Sequence, residues 1–142
     1  MQVKEGVEFA VTLSDRPGSL AQLIKKLTAT GVSIEAFMLY TSYIINIPKV
    51  PRAAGICKLL VDNVEKARDA LKELDVMFWE EKVLLVRAPD RQGLMLSLLE
   101  RLSEGGVNLK DGYSSVAPGE EVLIVLSVSN TEQALSILST GN

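Results

Sequence analysis

Apolar and polar residues alternate near the start of the chain and then change to a helical spacing. The alternation that is typical of a half-buried β-strand runs through Val7, Phe9, Val11 and Leu13. After a short turn, the spacing of three and four residues that marks one helix face runs through Leu20, Leu23, Ile24 and Leu27. The pattern predicts a strand, a turn and an amphipathic helix that ends at Gly31.

The next segment predicts two strands, a second helix and a last strand. The two strands are expected over 32–43 and 56–61. The helix follows Asp62 and Asn63, either of which can cap it, and its apolar face carries Val64, Ala67, Leu71 and Leu74. A strand over 76–79 completes the order βαββαβ.

The whole pattern then returns. SDRPGSLAQL at 14–23 is matched 75 residues later by PDRQGLMLSL at 89–98. At the same distance, Gly31-Val32-Ser33-Ile34 is matched by Gly106-Val107-Asn108-Leu109. A repeat of this length exceeds the unit of a solenoid, so each copy must be a small domain and the chain a tandem duplication.

We predict a first repeat over 1–80, with a longer loop at about 43–55, and a second repeat over 81–142. The βαββαβ order, with both helices on one face of an antiparallel sheet, is the ferredoxin-like arrangement, so the fold class is α+β with two such units. The second unit lacks or shortens its last strand, because the sequence stops after its second helix. This open position predicts pairing, either with the first repeat or with another chain.

The turn of the first repeat offers partners for a carboxylate and an ammonium on one small molecule. Pro17 suits the first position of a helix, which leaves Arg16, a poor cap, at the capping position. The amides of Gly18, Ser19 and Leu20 then point outward at the positive end of the helix dipole, where a carboxylate fits. Asp15 adds a partner for an ammonium. A Pro-Gly turn is, however, also common as a mere tight connection.

The second turn differs at one position. Gln92 replaces the proline, so Asp90 is expected to cap its own helix and occupy the amides. The first turn is therefore predicted to be the more open of the two.

Composition narrows the function classes. Of the 142 residues, 47% are hydrophobic and 23% charged, which suits a packed globular protein. The net charge of −3 and the lack of a basic cluster exclude nucleic acid as a partner. Neither a secretory signal nor a membrane span is visible, so we expect a cytoplasmic protein.

The sequence contains few of the residues that most often carry catalysis. The chain has no histidine, and its one cysteine, Cys57, lies in an apolar run that predicts a buried strand thiol. We expect no enzyme activity, no metal and no cofactor. An RNA-binding module shares the βαββαβ order but would need exposed aromatic residues and a basic surface.

DRPGSLAQL followed by GVSIEAF, and DRQGLMLSLLERL followed by GGVNLKDGY, resemble the two signature segments of the ACT domain. The resemblance covers both repeats, so no separate catalytic domain is expected in the sequence. It implies a free-standing tandem ACT protein, a regulatory module that binds a small amino acid at an interface between ACT units. It also implies a homodimer or higher homo-oligomer.

The resemblance assigns ligand contacts to the loop after the first strand and to the start of the second strand. In the first repeat these contacts are Asp15, Arg16, Pro17, Gly18, Ser19, Leu20, Ser33 and Ile34. In the second repeat they are Asp90, Gly93, Leu94, Asn108 and Leu109.

The two repeats depart from the family pattern in complementary ways. The first keeps the proline turn but has Ser33 where ligand-binding members often carry asparagine, whereas the second has Asn108 without the proline. A composite site that combines the first turn with Asn108 is one hypothesis, although asparagine after a Gly-Gly pair also serves as a turn residue.

Two functions remain open from the sequence. The first is a non-enzymatic, allosteric regulator whose amino acid changes its assembly or its contact with a separate enzyme or regulator. The alternative is an assembly module that dimerises without a ligand, which the loss of proline in one repeat and asparagine in the other would favour.

Overall fold

A computed structural model describes residues 1–41, 54–115 and 120–140. Its elements in chain order are β1 Gln2–Ser14, α1 Ser19–Ala29, β2 Ile34–Thr41, β3 Ala54–Val61, α2 Val64–Glu73, β4 Phe78–Pro89, α3 Leu94–Glu104, β5 Leu109–Ser114, β6 Glu121–Val128 and α4 Thr131–Ser139. The order is βαββαβ with one further αββα set, as the pattern predicts. The longer loop expected at about 43–55 lies almost wholly outside the described residues.

The chain divides into two compact units. One consists of Val7–Glu81, and the other consists of Met1–Gly6 together with Lys82–Asn142. The repeat boundaries at 1–80 and 81–142 are drawn from the duplicated sequence, not from contacts, and they stay a prediction. The contact units differ from them in one respect, since the first six residues group with the second repeat.

The unit of Val7–Glu81 has the antiparallel sheet that the ferredoxin-like order requires. Its strand order is β2-β3-β1-β4, with β3 antiparallel to both β1 and β2. Helices α1 and α2 supply Leu27 and Leu71, which pack with Phe9 and Leu59 of the sheet in one fully buried core. The ring of Phe78 meets Phe9 edge to face, with 6.0 Å between the ring centroids.

The other unit repeats this design with a strand from the start of the chain. Here β6 is antiparallel to β4 and β5, and β1 is the neighbour of β4. Val3 packs against the core of this unit, and a Cβ on Gly6 would meet the Leu85 side chain at 2.5 Å. Residues of β1 thus hold the position that the last strand takes in the βαββαβ order.

The second helix of each unit begins at an asparagine. The side-chain oxygen of Asn63 accepts a hydrogen bond from the amide of Lys66 at 3.1 Å. At the equivalent place in the second repeat, Asn130 accepts from the amide of Gln133 at 3.0 Å. The prediction that residue 62 or 63 caps this helix is confirmed, with Asn63 as the cap.

A buried charge cluster lies on the sheet of the unit of Val7–Glu81. Glu8 and Lys58 are 1% and 4% exposed, and Lys58 Nζ lies 3.6 Å from Glu8 Oε1 and 3.4 Å from Glu81 Oε2. The indole of Trp79 donates a hydrogen bond to Glu81 Oε1 at 3.1 Å. Pairing is what makes charges tolerable at this depth.

Cys57 is fully buried in β3, as the sequence predicts. Burial, and secondly the negative charge of Glu8, raise the pKa of its thiol to about 12. Nucleophilic chemistry needs the thiolate, so this thiol is inert at neutral pH.

We expect this pKa to make folding stability depend on pH. An unfolded thiol loses its proton near pH 8.5, whereas the folded thiol keeps it, so its contribution is complete below about pH 8.5 and falls as the pH rises. Between pH 8.5 and 10 the native chain should therefore lose about 1–2 kcal/mol more stability than Cys57→Ala, measured by denaturant unfolding. Equal losses in both proteins would contradict the assignment.

The role of the first residues can be tested with a charge placed on either side of β1. Val3→Asp puts a carboxylate against the core of the second repeat and should cost about 2 kcal/mol or more. Amide hydrogen exchange should then accelerate across residues 82–140. Gln2→Asp makes the same charge change at an exposed neighbour and is the control. If the two variants exchange alike, residues 1–6 do not complete this unit.

Candidate functional site

The turn between the first strand and the first helix has the same geometry in both repeats. Gly18 and Gly93 hold the helix N-cap positions with φ of 88° and 85°, a left-handed conformation that favours glycine. The amide of Gln22 donates to the Gly18 carbonyl at 2.9 Å, and that of Ser97 donates to the Gly93 carbonyl at 2.9 Å. The duplication has therefore kept this turn in its conformation as well as in its sequence.

Two expectations about these helix starts are wrong. Pro17 is not the first helical residue and Arg16 is not at the capping position, because the left-handed Gly18 delays the start of α1 to Ser19. Asp90 does not cap α3, because Gly93 takes the cap position three residues later and no side chain bonds there. The predicted difference in capping between the two turns is therefore absent.

Polar groups of the first turn remain open to solvent. Asp15, Arg16 and Gly18 are exposed. The Ser19 amide, expected to be open, donates to the Arg16 carbonyl at 3.3 Å. Within the described part of the chain, no acceptor engages the amides of Gly18 and Leu20. The turn therefore still offers two amide donors beside one carboxylate.

The start of the second strand is fixed by a reciprocal pair of hydrogen bonds in each repeat. The Ser33 amide donates to Asp62 Oδ1 at 2.8 Å, and the Asp62 amide donates to the Ser33 carbonyl at 3.1 Å. In the second repeat, the Asn108 amide donates to Ser129 Oγ at 3.0 Å and the Ser129 amide donates back at 2.8 Å. The main chain is held, and the side chains of Ser33 and Asn108 are exposed.

The apolar residues assigned to the site divide between core and surface. Leu94 is 6% exposed within its core, and Leu20 and Ile34 are partly buried against theirs. Leu109, in contrast, is 39% exposed. Of these side chains, Leu109 is therefore the most accessible to a ligand.

One unit does not bring its two candidate segments together. The turn at 15–20 precedes α1 and the segment at 31–34 follows it. Helix α1 has 11 residues and thus a length of about 16 Å. A small ligand cannot span that distance, so a site that uses both kinds of segment must draw them from two different repeats or chains.

A cavity beside the first turn was missed by the sequence analysis. It has a volume of about 190 Å³, and its lining includes Arg16, Gln22 and Lys26. One feature of the sequence could have indicated this cavity. A basic residue occurs at the same place in the first helix of both repeats, where Lys26 corresponds to Arg101.

The described residues contain no cluster of three or more side chains that could hold a metal ion. None of the helices in these ranges is long and apolar enough to cross a membrane.

No protein-family model matches the chain, and no curated protein does either. Solved structures do match. The protein BT0572 from Bacteroides thetaiotaomicron superimposes with a TM-score of 0.82 at 20% identity, covering 96% of this chain and 88% of its own.

The neighbours also include aspartate kinases. The ligand-free regulatory subunit of aspartate kinase from Thermus thermophilus has a TM-score of 0.62 at 12% identity, and 98% of this chain covers 95% of it. Aspartate kinase from Clostridium acetobutylicum, described as an allosteric enzyme, has a TM-score of 0.53 at 13% identity, with coverage of 96% and 33%. The chain thus has the fold of aspartate kinase regulatory subunits, which is consistent with the free-standing tandem ACT protein that the sequence predicts.

Proposed function

We propose that this chain is a non-enzymatic regulatory protein that binds a small amino acid at an interface between ACT units. Binding would change its assembly or its contact with a separate enzyme or regulator in the cytoplasm. The observation that carries the proposal is the separation of the two candidate segments by α1. If both contact one ligand, the ligand must link two ACT units and thereby favour one arrangement of them.

The chemistry of the first turn supports an amino acid as the ligand. The open amides of Gly18 and Leu20 are donors for a carboxylate at the positive end of α1. The exposed carboxylate of Asp15 is a partner for the ammonium. A ligand with only one of these two charges would leave half of the turn unused.

The fold supports regulation without catalysis. The solved neighbours include the regulatory subunit of an aspartate kinase and an aspartate kinase described as allosteric. A ligand shifts an equilibrium between arrangements only by as much as its affinity for them differs. An interface site meets this condition directly, because one arrangement contains the complete site and the other does not.

The alternative is an assembly module that has lost its ligand. The observation that favours it is on β2, an edge strand of its unit, where Phe37 and Leu39 are 55% and 46% exposed. Such side chains on a sheet edge suit contact with a second copy of the chain, which needs no small molecule.

Thermal denaturation in the presence of single amino acids distinguishes the two functions. At a ligand concentration 100 times Kd, binding to the folded state should add about 2.7 kcal/mol of apparent stability. Asp15→Asn removes a charged partner and should weaken binding about tenfold or more. Asp69→Asn, which makes the same charge change at an exposed residue of α2 outside the assigned contacts, is the matched control. No stabilisation by any of the proteinogenic amino acids would favour the assembly module.

The second-strand contact can be tested by calorimetry with the amino acid that stabilises the protein. If the carboxamide of Asn108 contacts the ligand, Asn108→Ala should weaken binding about tenfold, whereas Ser33→Ala should change it little. Both side chains are exposed, so neither substitution should affect folding. Unchanged affinity in Asn108→Ala would remove Asn108 from the site and leave the first turn as its remaining part.

A further inference from the structure

The cavity in the unit of Val7–Glu81 has cations at its rim and an apolar wall. It lies against α1 and the segment that leads from α2 into β4, where Leu74 and Val76 face it together with Leu23. Arg16 and Lys26 are the charged residues that line it, and none of its lining residues is acidic. In a chain with net charge −3, a cavity with two positive charges is a local exception.

Neither cation is neutralised by the protein. Among residues 1–41, 54–115 and 120–140, no hydrogen bond or ion pair engages the guanidinium of Arg16 or the ammonium of Lys26. Both side chains are exposed and can turn toward the cavity. Their positive charges are available to an anion.

In the second repeat, the basic residue at the equivalent position is hydrogen-bonded to oxygen atoms of the protein. The corresponding cavity of this repeat is lined by Arg91 and Arg101, the counterparts of Arg16 and Lys26. Arg101 Nη2 donates to the carbonyl oxygen of Ile137 at 2.5 Å and also to that of Thr140, at the end of α4. In the first repeat the chain turns into β4 instead, and Lys26 has no such acceptor among the described residues.

The charge pattern selects the class of ligand. Between Ser19 and Lys26, α1 rises by about 10 Å, so the two cations approach the cavity from different ends. Two separated cations suit two anionic groups. The lining also contains the polar residues Thr12, Ser14, Ser19 and Gln22, and its apolar residues Leu23, Leu74 and Val76 can contact a short methylene chain. An ammonium on the ligand would meet no lining carboxylate. A volume of about 190 Å³ suits a small molecule.

We infer that this cavity binds a small linear dicarboxylate without an ammonium group, with Lys26 and Arg16 as the cations at its two ends. The site is separate from the amino-acid site proposed above, which uses the amides of the turn and Asp15. Arg16 and Ser19 are the residues that the two sites could share. A substitution of Lys26 therefore reports on binding in the cavity, and a substitution of Asp15 reports on binding at the turn.

The test is a titration of the full chain with glutarate, followed by backbone amide signals in heteronuclear NMR. We expect saturable shifts along α1 and at 74–76. Lys26→Gln should raise the Kd about tenfold or more, because it removes a charged hydrogen bond. Lys25→Gln is the matched control, since Lys25 is also exposed on α1 but lines a different surface groove. Butyrate, which lacks one carboxylate, and glutamate, which adds an ammonium, should both bind more weakly.

Two results would overturn the inference. One is the absence of saturable shifts with glutarate. The other is an equal loss of affinity in Lys25→Gln and Lys26→Gln, which would show a general effect of charge. Asp15→Asn should leave glutarate binding unchanged and weaken amino-acid binding. The failure of one site is thus distinguishable from the failure of the other.

Discussion

The length of one helix constrains where a ligand can bind. In both repeats the first helix has 11 residues, and it separates the loop after the first strand from the start of the second strand. A left-handed glycine shapes the first segment, and a reciprocal pair of hydrogen bonds holds the main chain of the second. About 16 Å of helix keeps them apart. A ligand that needs both must therefore bring two units together, which is a direct route from binding to regulation.

The duplication kept the main chain and changed the side chains. The two turns agree in φ within a few degrees, and the second-strand bonds recur with Asp62 replaced by Ser129. The two repeats differ in the basic residues at the rims of their cavities. Arg101 is held by carbonyl oxygens of its own unit, whereas Lys26 is open among the described residues. Two repeats of one fold can thus differ in ligand without any difference in architecture.

The sequence predicted the duplication, the element order, the helix faces and a helix cap at residue 62 or 63, because each rests on local spacing or on a local hydrogen bond. It did not predict that β4 continues from Phe78 to Pro89, since the last strand of the first repeat is predicted over 76–79 and the repeat boundary after residue 80. The strand tolerates its charged residues because Arg68 pairs with Glu80 at 2.7 Å and Lys58 lies near Glu81. Such pairs join residues distant in sequence, as does the packing of Val3 in the second repeat. The assigned ligand contacts stay a prediction.

The proposed regulation requires that the first turn binds an amino acid. The most direct measurement is heteronuclear NMR of the unmodified chain during titration with each proteinogenic amino acid. We expect at least one of them to shift the amide signals of residues 15, 16 and 18–20 in a saturable way, with the open amides of Gly18 and Leu20 among the most affected. Titrations that leave these signals unchanged in the folded protein would contradict this expectation.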